Sequence, residues 1–122
     1  MLTGTYSGQS WAQRWGPAFD GLHLLLGFET NAYDWSNFGK RFAEYQQGRS
    51  ILFFTITLPV RSSWFQAALE EQPGGVKSVV MGVGGLNGAT NFNDYFHGNG
   101  PIGPDIPKNQ ITYYWRQVQT NP

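Results

Sequence analysis

Apolar positions along this chain fall into short runs separated by Gly, Pro and Asn clusters, and most of the runs have a readable period. Near the start, Trp11, Trp15 and Phe19 recur at intervals of four, but Gly16 and Pro17 interrupt them, which predicts a short turn or helix and then a loop. Residues 22–28, LHLLLGF, are almost wholly apolar and are bounded by Gly21 and a polar cluster. That is the pattern of a strand buried on both faces, and it makes this run the candidate for the centre of a sheet. A polar loop at 31–37 follows, in which Ser36 or Asn37 can cap a helix with Phe38, Phe42 and Tyr45 on its inner face and Gly48 as its stop.

Residues 50–58, SILFFTITL, are rich in β-branched and aromatic side chains and predict a second buried strand. Pro59 suits the first turn of a helix running to Glu71, with Val60, Trp64, Ala67 and Ala68 inward and Glu70 and Glu71 outward; Pro73, Gly74 and Gly75 end it. A third strand is expected at 76–83, VKSVVMGV. Crossovers in a strand-helix-strand-helix-strand order join parallel strands with right-handed sense. The fold class expected is therefore α/β, a three-layer sandwich with a mostly parallel sheet (β-α-β-α-β), in a single domain over residues 1–122. Residues 84–108 turn to Gly, Asn, Asp and Pro and read as a long loop of the kind that carries function. The run QITYYWRQV sets Ile111, Tyr113 and Trp115 against Thr112, Tyr114 and Arg116, which predicts a C-terminal edge strand packed on one face.

Composition narrows the partners. Aromatic residues make up 16% of the chain and charged residues only 13%, about half the usual charged share. Such a balance suits a broad core, an aromatic binding face, or a subunit that covers part of itself with a partner. Eight Lys and Arg against eight Asp and Glu leave no field of either sign, so nucleic acid is excluded as a partner. No stretch approaches the roughly 18 apolar residues of a membrane span, and residues 1–8 are polar rather than basic then apolar, so neither a membrane segment nor a signal peptide is expected. The absence of Cys excludes disulfides, thiolate metal sites and cysteine-nucleophile chemistry, and leaves the compartment unassigned.

Two segments together, LHLLLGFETNAYD and NFGKRFAEYQQGRSILFFTITLPVRSSWFQAALE, resemble the C-terminal half of caspase-like domains of the CHAT and gingipain type over residues 22–71. The resemblance places Glu29 and Thr30 at the Glu-Thr pair that follows the catalytic Cys in those domains. It matches residues 38–42 to the helix and Leu58, Pro59 and Val60 to the turn into the next helix. Phe28 then stands at the nucleophile's position, and no segment before Leu22 is long enough to hold the strand of the general-base His. What this implies is a degenerate or truncated relative without catalysis, possessing an interaction or scaffold role, or half of a domain completed by another chain.

Candidate binding residues lie in two loops. Glu29, Thr30, Asn31 and Asp34 follow the first strand, where ligands bind in parallel α/β sheets; the same residues serve equally as caps and turn formers. Asp94 and His97, beside Asn91 and Asn93, could pair as orienter and base, although neither a Ser elbow nor an HExxH pattern accompanies them. His23, alone on an apolar run, is given no role. The GVGGLNG run after the third strand departs from a dinucleotide loop, with Asn87 where a glycine belongs. Tyr33, Trp35, Tyr95, Phe96 and Tyr114 could stack on sugar rings. The function expected is a non-catalytic interaction or scaffold module that associates with itself or another protein chain. Its alternatives are a carbohydrate-binding module taking a small ligand or glycan, and a hydrolase using Asp94 and His97. No cofactor and no metal are expected.

Overall fold

The computed structural model describes residues 8–34 and 36–122. Its elements run α1 (Trp11–Trp15), β1 (Leu24–Phe28), α2 (Ser36–Gln47), β2 (Arg49–Ile51), β3 (Phe54–Ile56), α3 (Val60–Glu71), β4 (Lys77–Gly85) and β5 (Ile111–Thr120), with 3-10 turns at Gly16–Ala18, Leu86–Gly88 and Lys108–Gln110. Three strands form one antiparallel sheet in the order β1-β4-β5, and β2 pairs with β3 as a separate antiparallel hairpin.

Strand β4 is the centre. Every residue from Ser78 to Gly85 is buried, which requires cover on both faces and partners on both edges. Val79, Met81 and Val83 point to one face, where they pack with Phe19 and Ile106, flanked by Trp11, Trp15, Leu25 and Ile111. On the other face α3 lies over the sheet: Trp64 packs 5.2 Å from the Phe28 ring and donates from Nε1 to the Gly27 carbonyl at 3.1 Å. Phe38 and Phe42 of α2 then meet Trp64 edge-on at 5.0 and 5.2 Å, and Phe38 also lies 5.6 Å from the Phe28 ring, so α2 is held both by α3 and by β1. Each such aromatic pair contributes about 0.5–1.5 kcal/mol beyond the area it buries.

Two glycines in β4 set how closely β5 side chains can lie. A Cβ on Gly82 would stand 2.5 Å from Cζ2 of Trp115, and one on Gly84 would fall within the Tyr113 ring. The bare backbone lets Trp115 lie across the strand and meet Phe92 edge-on at 4.9 Å. At the far end of the sheet, α3 finishes without a left-handed cap, and Asn121 supplies what is missing. Its buried Nδ2 donates to the carbonyls of Ala68 at 2.7 Å and Gln72 at 3.0 Å.

Three expectations are corrected. The sheet is antiparallel, not mostly parallel, and there is no β-α-β-α-β three-layer sandwich. The reason lies in the second correction: SILFFTITL is not a buried strand of the sheet but the β2–β3 hairpin, which turns back on itself at Leu52 and Phe53. With that strand withdrawn, two helices separate β1 from β4. One helix returns a chain to the end where it started and gives a parallel neighbour; two helices deliver it to the opposite end, so β4 runs antiparallel to β1. Third, the run at 22–28 supplies an edge strand, half-buried throughout, instead of the central one. The helices lie where their periodicity places them, and Gly48, at φ 107°, ends α2. Ser36 and Asn37, the expected caps of α2, both lie within the helix, which begins at Ser36.

Two glycine substitutions should move stability in opposite directions. Gly39→Ala, in mid-helix with nothing near the added methyl, should stabilise by about 0.5–1 kcal/mol. Gly82→Ala must displace Trp115 and should cost about 1–3 kcal/mol. Equilibrium urea unfolding of both variants reads the difference.

Candidate functional site

Sequence distant by 71 and 82 residues meets at His23. The imidazole sits between two carboxylates, with Nδ1 2.5 Å from Asp94 Oδ2 and Nε2 2.5 Å from Asp105 Oδ1. Gly21, at φ 93°, turns the chain into β1 and donates its N–H to the Ile106 carbonyl at 3.0 Å. One residue earlier, Asp20 accepts the Lys108 N–H at 2.9 Å. The entry to β1 is thereby sewn to the loop that precedes β5.

The loop between β4 and β5 is built around Asn91 and Asp94. Asn91 is fully buried and donates from Nδ2 to the Pro104 carbonyl at 3.0 Å, while its Oδ1 has no hydrogen-bond partner among the described residues. Asp94 donates its N–H to the Asn91 carbonyl, and its own carbonyl takes the Val60 N–H, one of the unpaired donors at the start of α3. The Oδ1 of Asp94 accepts the Gly103 N–H at 2.7 Å. Gly103 is required here, because a Cβ would collide with the Thr90 carbonyl. Arg61, at the first turn of α3, lies 3.8 Å above the Phe92 ring and donates to the Phe92 carbonyl and to Gln117 Oε1. Burial lowers its pKa. The loop is thus pinned to α3, β5 and the entry of β1.

The two carboxylates at His23 differ in environment. The Asp94 side chain is 7% exposed and that of Asp105 is 81% exposed. Burial pulls the His23 pKa down, but hydrogen bonding and charge from Asp105 and Asp94 outweigh it, and the net direction is upward. An Asp-oriented imidazole is one half of general-base machinery. Here the outward nitrogen, where a nucleophile would stand, is occupied by Asp105. Among the described residues no group of three or more His, Cys, Asp or Glu side chains is arranged to hold a metal ion. Beside Asp94, a groove of about 230 Å³ opens between Thr90, Asn93, Pro101, Ile102 and Gly103.

The expected pairing of Asp94 with His97 is replaced by Asp94 with His23, and His97 is exposed on the loop. The loop after β1 is tied down by its backbone. Glu29 donates its N–H to the Lys77 carbonyl, Thr30 Oγ1 accepts the Lys77 N–H at 3.0 Å, and Gln72 holds both the N–H and the carbonyl of Tyr33. Thr30 and Asn31 line a shallow hollow of about 370 Å³ against Gly74 and Gly75; Asp34 is exposed, and neither it nor Glu29 is among the residues that line the hollow. Phe28, at the place the resemblance reserves for a nucleophile, is packed against Phe38 and Trp64. Of the aromatics considered for sugar stacking, Tyr114 lies edge-on to Phe19, Tyr33 and Phe96 are exposed on separate loops, and Trp35 lies outside the described residues.

A second feature was hidden within a run read as buried. At the hairpin tip, Leu52, Phe53 and Phe54 are 90%, 98% and 71% exposed. Leu52 has φ 54°, at the first position of a two-residue hairpin loop, where glycine is favoured. The base of the hairpin is fastened by Arg49, which donates to Tyr45 Oη at 2.7 Å and Glu70 Oε1 at 3.0 Å.

The chain belongs to the family described as domain of unknown function (DUF6345), whose model matches residues 1–118. No curated protein and no solved structure matches the chain. The caspase-like resemblance is overturned: the family found is a different one, and no caspase-like or gingipain-type family matches. Its residues alternate apolar runs with helices, a pattern common to many α/β chains, and the apolar run it needed as a sheet strand is the exposed hairpin. No helix among the described residues is long and apolar enough to cross a membrane.

The unequal burial of the two carboxylates has a measurable consequence. Asp94→Ala strips the acceptor from the Gly103 N–H and from His23 inside the fold and should cost about 1–3 kcal/mol. Asp105→Ala, in solvent, should stay within about 0.5 kcal/mol near neutral pH. Denaturant midpoints at one pH compare the two directly.

Proposed function

We propose that this domain is a protein-interaction module that docks through the tip of its β2–β3 hairpin. The observation that carries the reading is the exposure of Leu52, Phe53 and Phe54 together, with Leu52 in a backbone conformation that favours glycine. Folding gains nothing from three large apolar side chains in water, and the left-handed Leu costs roughly 1 kcal/mol that a Gly would not. A conformation and a surface that both work against stability point to a use outside the fold.

Charge and area indicate the kind of partner. Around the hairpin base, Lys40, Arg41 and Arg49 are matched by Glu44, Glu70 and Glu71 in ion pairs, so no basic patch faces outward to hold an anionic lipid surface. The tip exposes on the order of a few hundred Å², well short of what a symmetric dimer built on it alone would bury. A short anchor of this size fits an apolar pocket on a different protein, with the paired charges at its base serving as a polar rim.

The test separates binding from stability. Leu52→Gly with Phe53→Asn should raise the unfolding free energy by about 0.5–1 kcal/mol, because it installs turn chemistry suited to the loop. The same variant should lose association. A photo-crosslinking side chain at position 53 identifies the partner, which is then purified, and the double variant should bind it at least about tenfold more weakly. Unchanged affinity of the variant for that partner would overturn the reading. So would a wild-type dimer in sedimentation velocity that the variant abolishes, or co-sedimentation of the wild type with phosphatidylcholine vesicles.

A further inference from the structure

A neutral imidazole carries one N–H, so it can donate to one carboxylate and must face the other with a lone pair. His23 has a carboxylate oxygen 2.5 Å from each ring nitrogen. Both contacts are favourable only when both nitrogens are protonated. We propose that the Asp94–His23–Asp105 bridge is a proton-operated clasp: the imidazolium ties the segment before β5 to the entry of β1, and loss of one proton releases the Asp105 arm while Asp94 stays bound.

Which arm opens follows from burial. Asp94 is enclosed, accepts the Gly103 N–H, and is anchored through its backbone to Asn91 and Val60. Depriving it of the imidazole donor would leave a buried carboxylate short of a partner, and Nδ1 therefore keeps its proton. Asp105 stands in water, which replaces the lost donor at little cost. With Nε2 unprotonated, acceptor faces acceptor and the Asp105 carboxylate moves away. Its neighbours feel the change, because Pro104 is held by Asn91 and Ile106 is held by Gly21 on either side of it. Pro101, Ile102 and Gly103, just upstream in the same segment, form part of the groove beside Asp94, so the clasp also sets how firmly that wall is held.

The charged groups that act on His23 among the described residues are these two carboxylates, one from the loop after β4 and one from the segment before β5. Although burial works against the charged form, they raise the folded-state pKa above the ordinary value of about 6.5. A raised histidine contributes stability that is fully present below about pH 6.5 and is lost as pH rises through the folded value. The clasp is closed on the acid side and opens on the alkaline side.

His97→Gln leaves one imidazole in the full chain, and long-range ¹H–¹⁵N NMR then follows His23 alone. The expected titration has a midpoint above about 6.5, with both nitrogens protonated below it and only Nδ1 above it. Amide exchange, corrected for intrinsic rates, should show protection of the Gly21 N–H falling at least about fivefold across that midpoint, while the Gly103 N–H, held by Asp94, keeps its protection. Asp105→Asn, at a solvent-exposed position that leaves folding intact, should lower the His23 midpoint and abolish the step at Gly21. The proposal falls if His23 is neutral across the acid range, if Gly21 protection shows no step at the His23 midpoint, or if that step survives in Asp105→Asn.

Discussion

Strand β4 imposes the main constraint on this molecule. From Ser78 to Gly85 it is buried, so its polar backbone groups need protein partners and each of its faces needs cover. Strands β1 and β5 supply the edges, the Phe19 cluster covers one face, and α3 lies over the other, with the Trp115 and Tyr113 rings of β5 against Gly82 and Gly84. Much of the rest of the chain can be placed by asking which of these duties it performs. The β2–β3 hairpin performs none of them, and its apolar tip at Leu52, Phe53 and Phe54 stands in water.

The helices were legible because their signals are local. Phe38, Phe42 and Tyr45 mark one face of α2 and Gly48 marks its end; Pro59 marks the start of α3, whose buried residues are Ala67 and Ala68, as expected, and also Ser63 and Phe65, which the pattern does not single out. The strand β4 was legible too, since a run such as VKSVVMGV between glycines has few other solutions. The run SILFFTITL misled because continuous β-branched and aromatic residues describe an interior strand and say nothing about a reversal within it. Hairpin turns announce themselves through Gly, Asn or Asp, and this one is made with Leu52 and Phe53. One misplaced strand then altered the parity of the whole topology, turning an antiparallel sheet into an expected parallel one.

The polar site shows a similar division. In the sequence Asp94 stands out from its Asn-rich, Gly-rich surroundings, with His97 three residues away as its nearest candidate partner. The structure supplies His23 instead, from the far side of the chain, and adds Asp105 from among prolines where no motif pointed. A lone histidine at the polar end of an apolar run is an ambiguous signal. It becomes informative only when the tertiary fold shows which acidic groups reach it. Two ties beside it, Gly21 to Ile106 and Asp20 to Lys108, hold these segments together and bring the imidazole to the carboxylates.

By itself the sequence determined what depends on neighbours a few residues apart: two helices with their stops, an apolar β4, the absence of thiol chemistry and a charge balance of zero. Only the tertiary structure decided strand direction, which run of apolar residues stays in water, and which carboxylates share His23. These three outcomes arise from long-range closure. They depend on how many elements carry the chain from one strand to the next and on which loops are sewn together, and no local period or motif encodes either quantity.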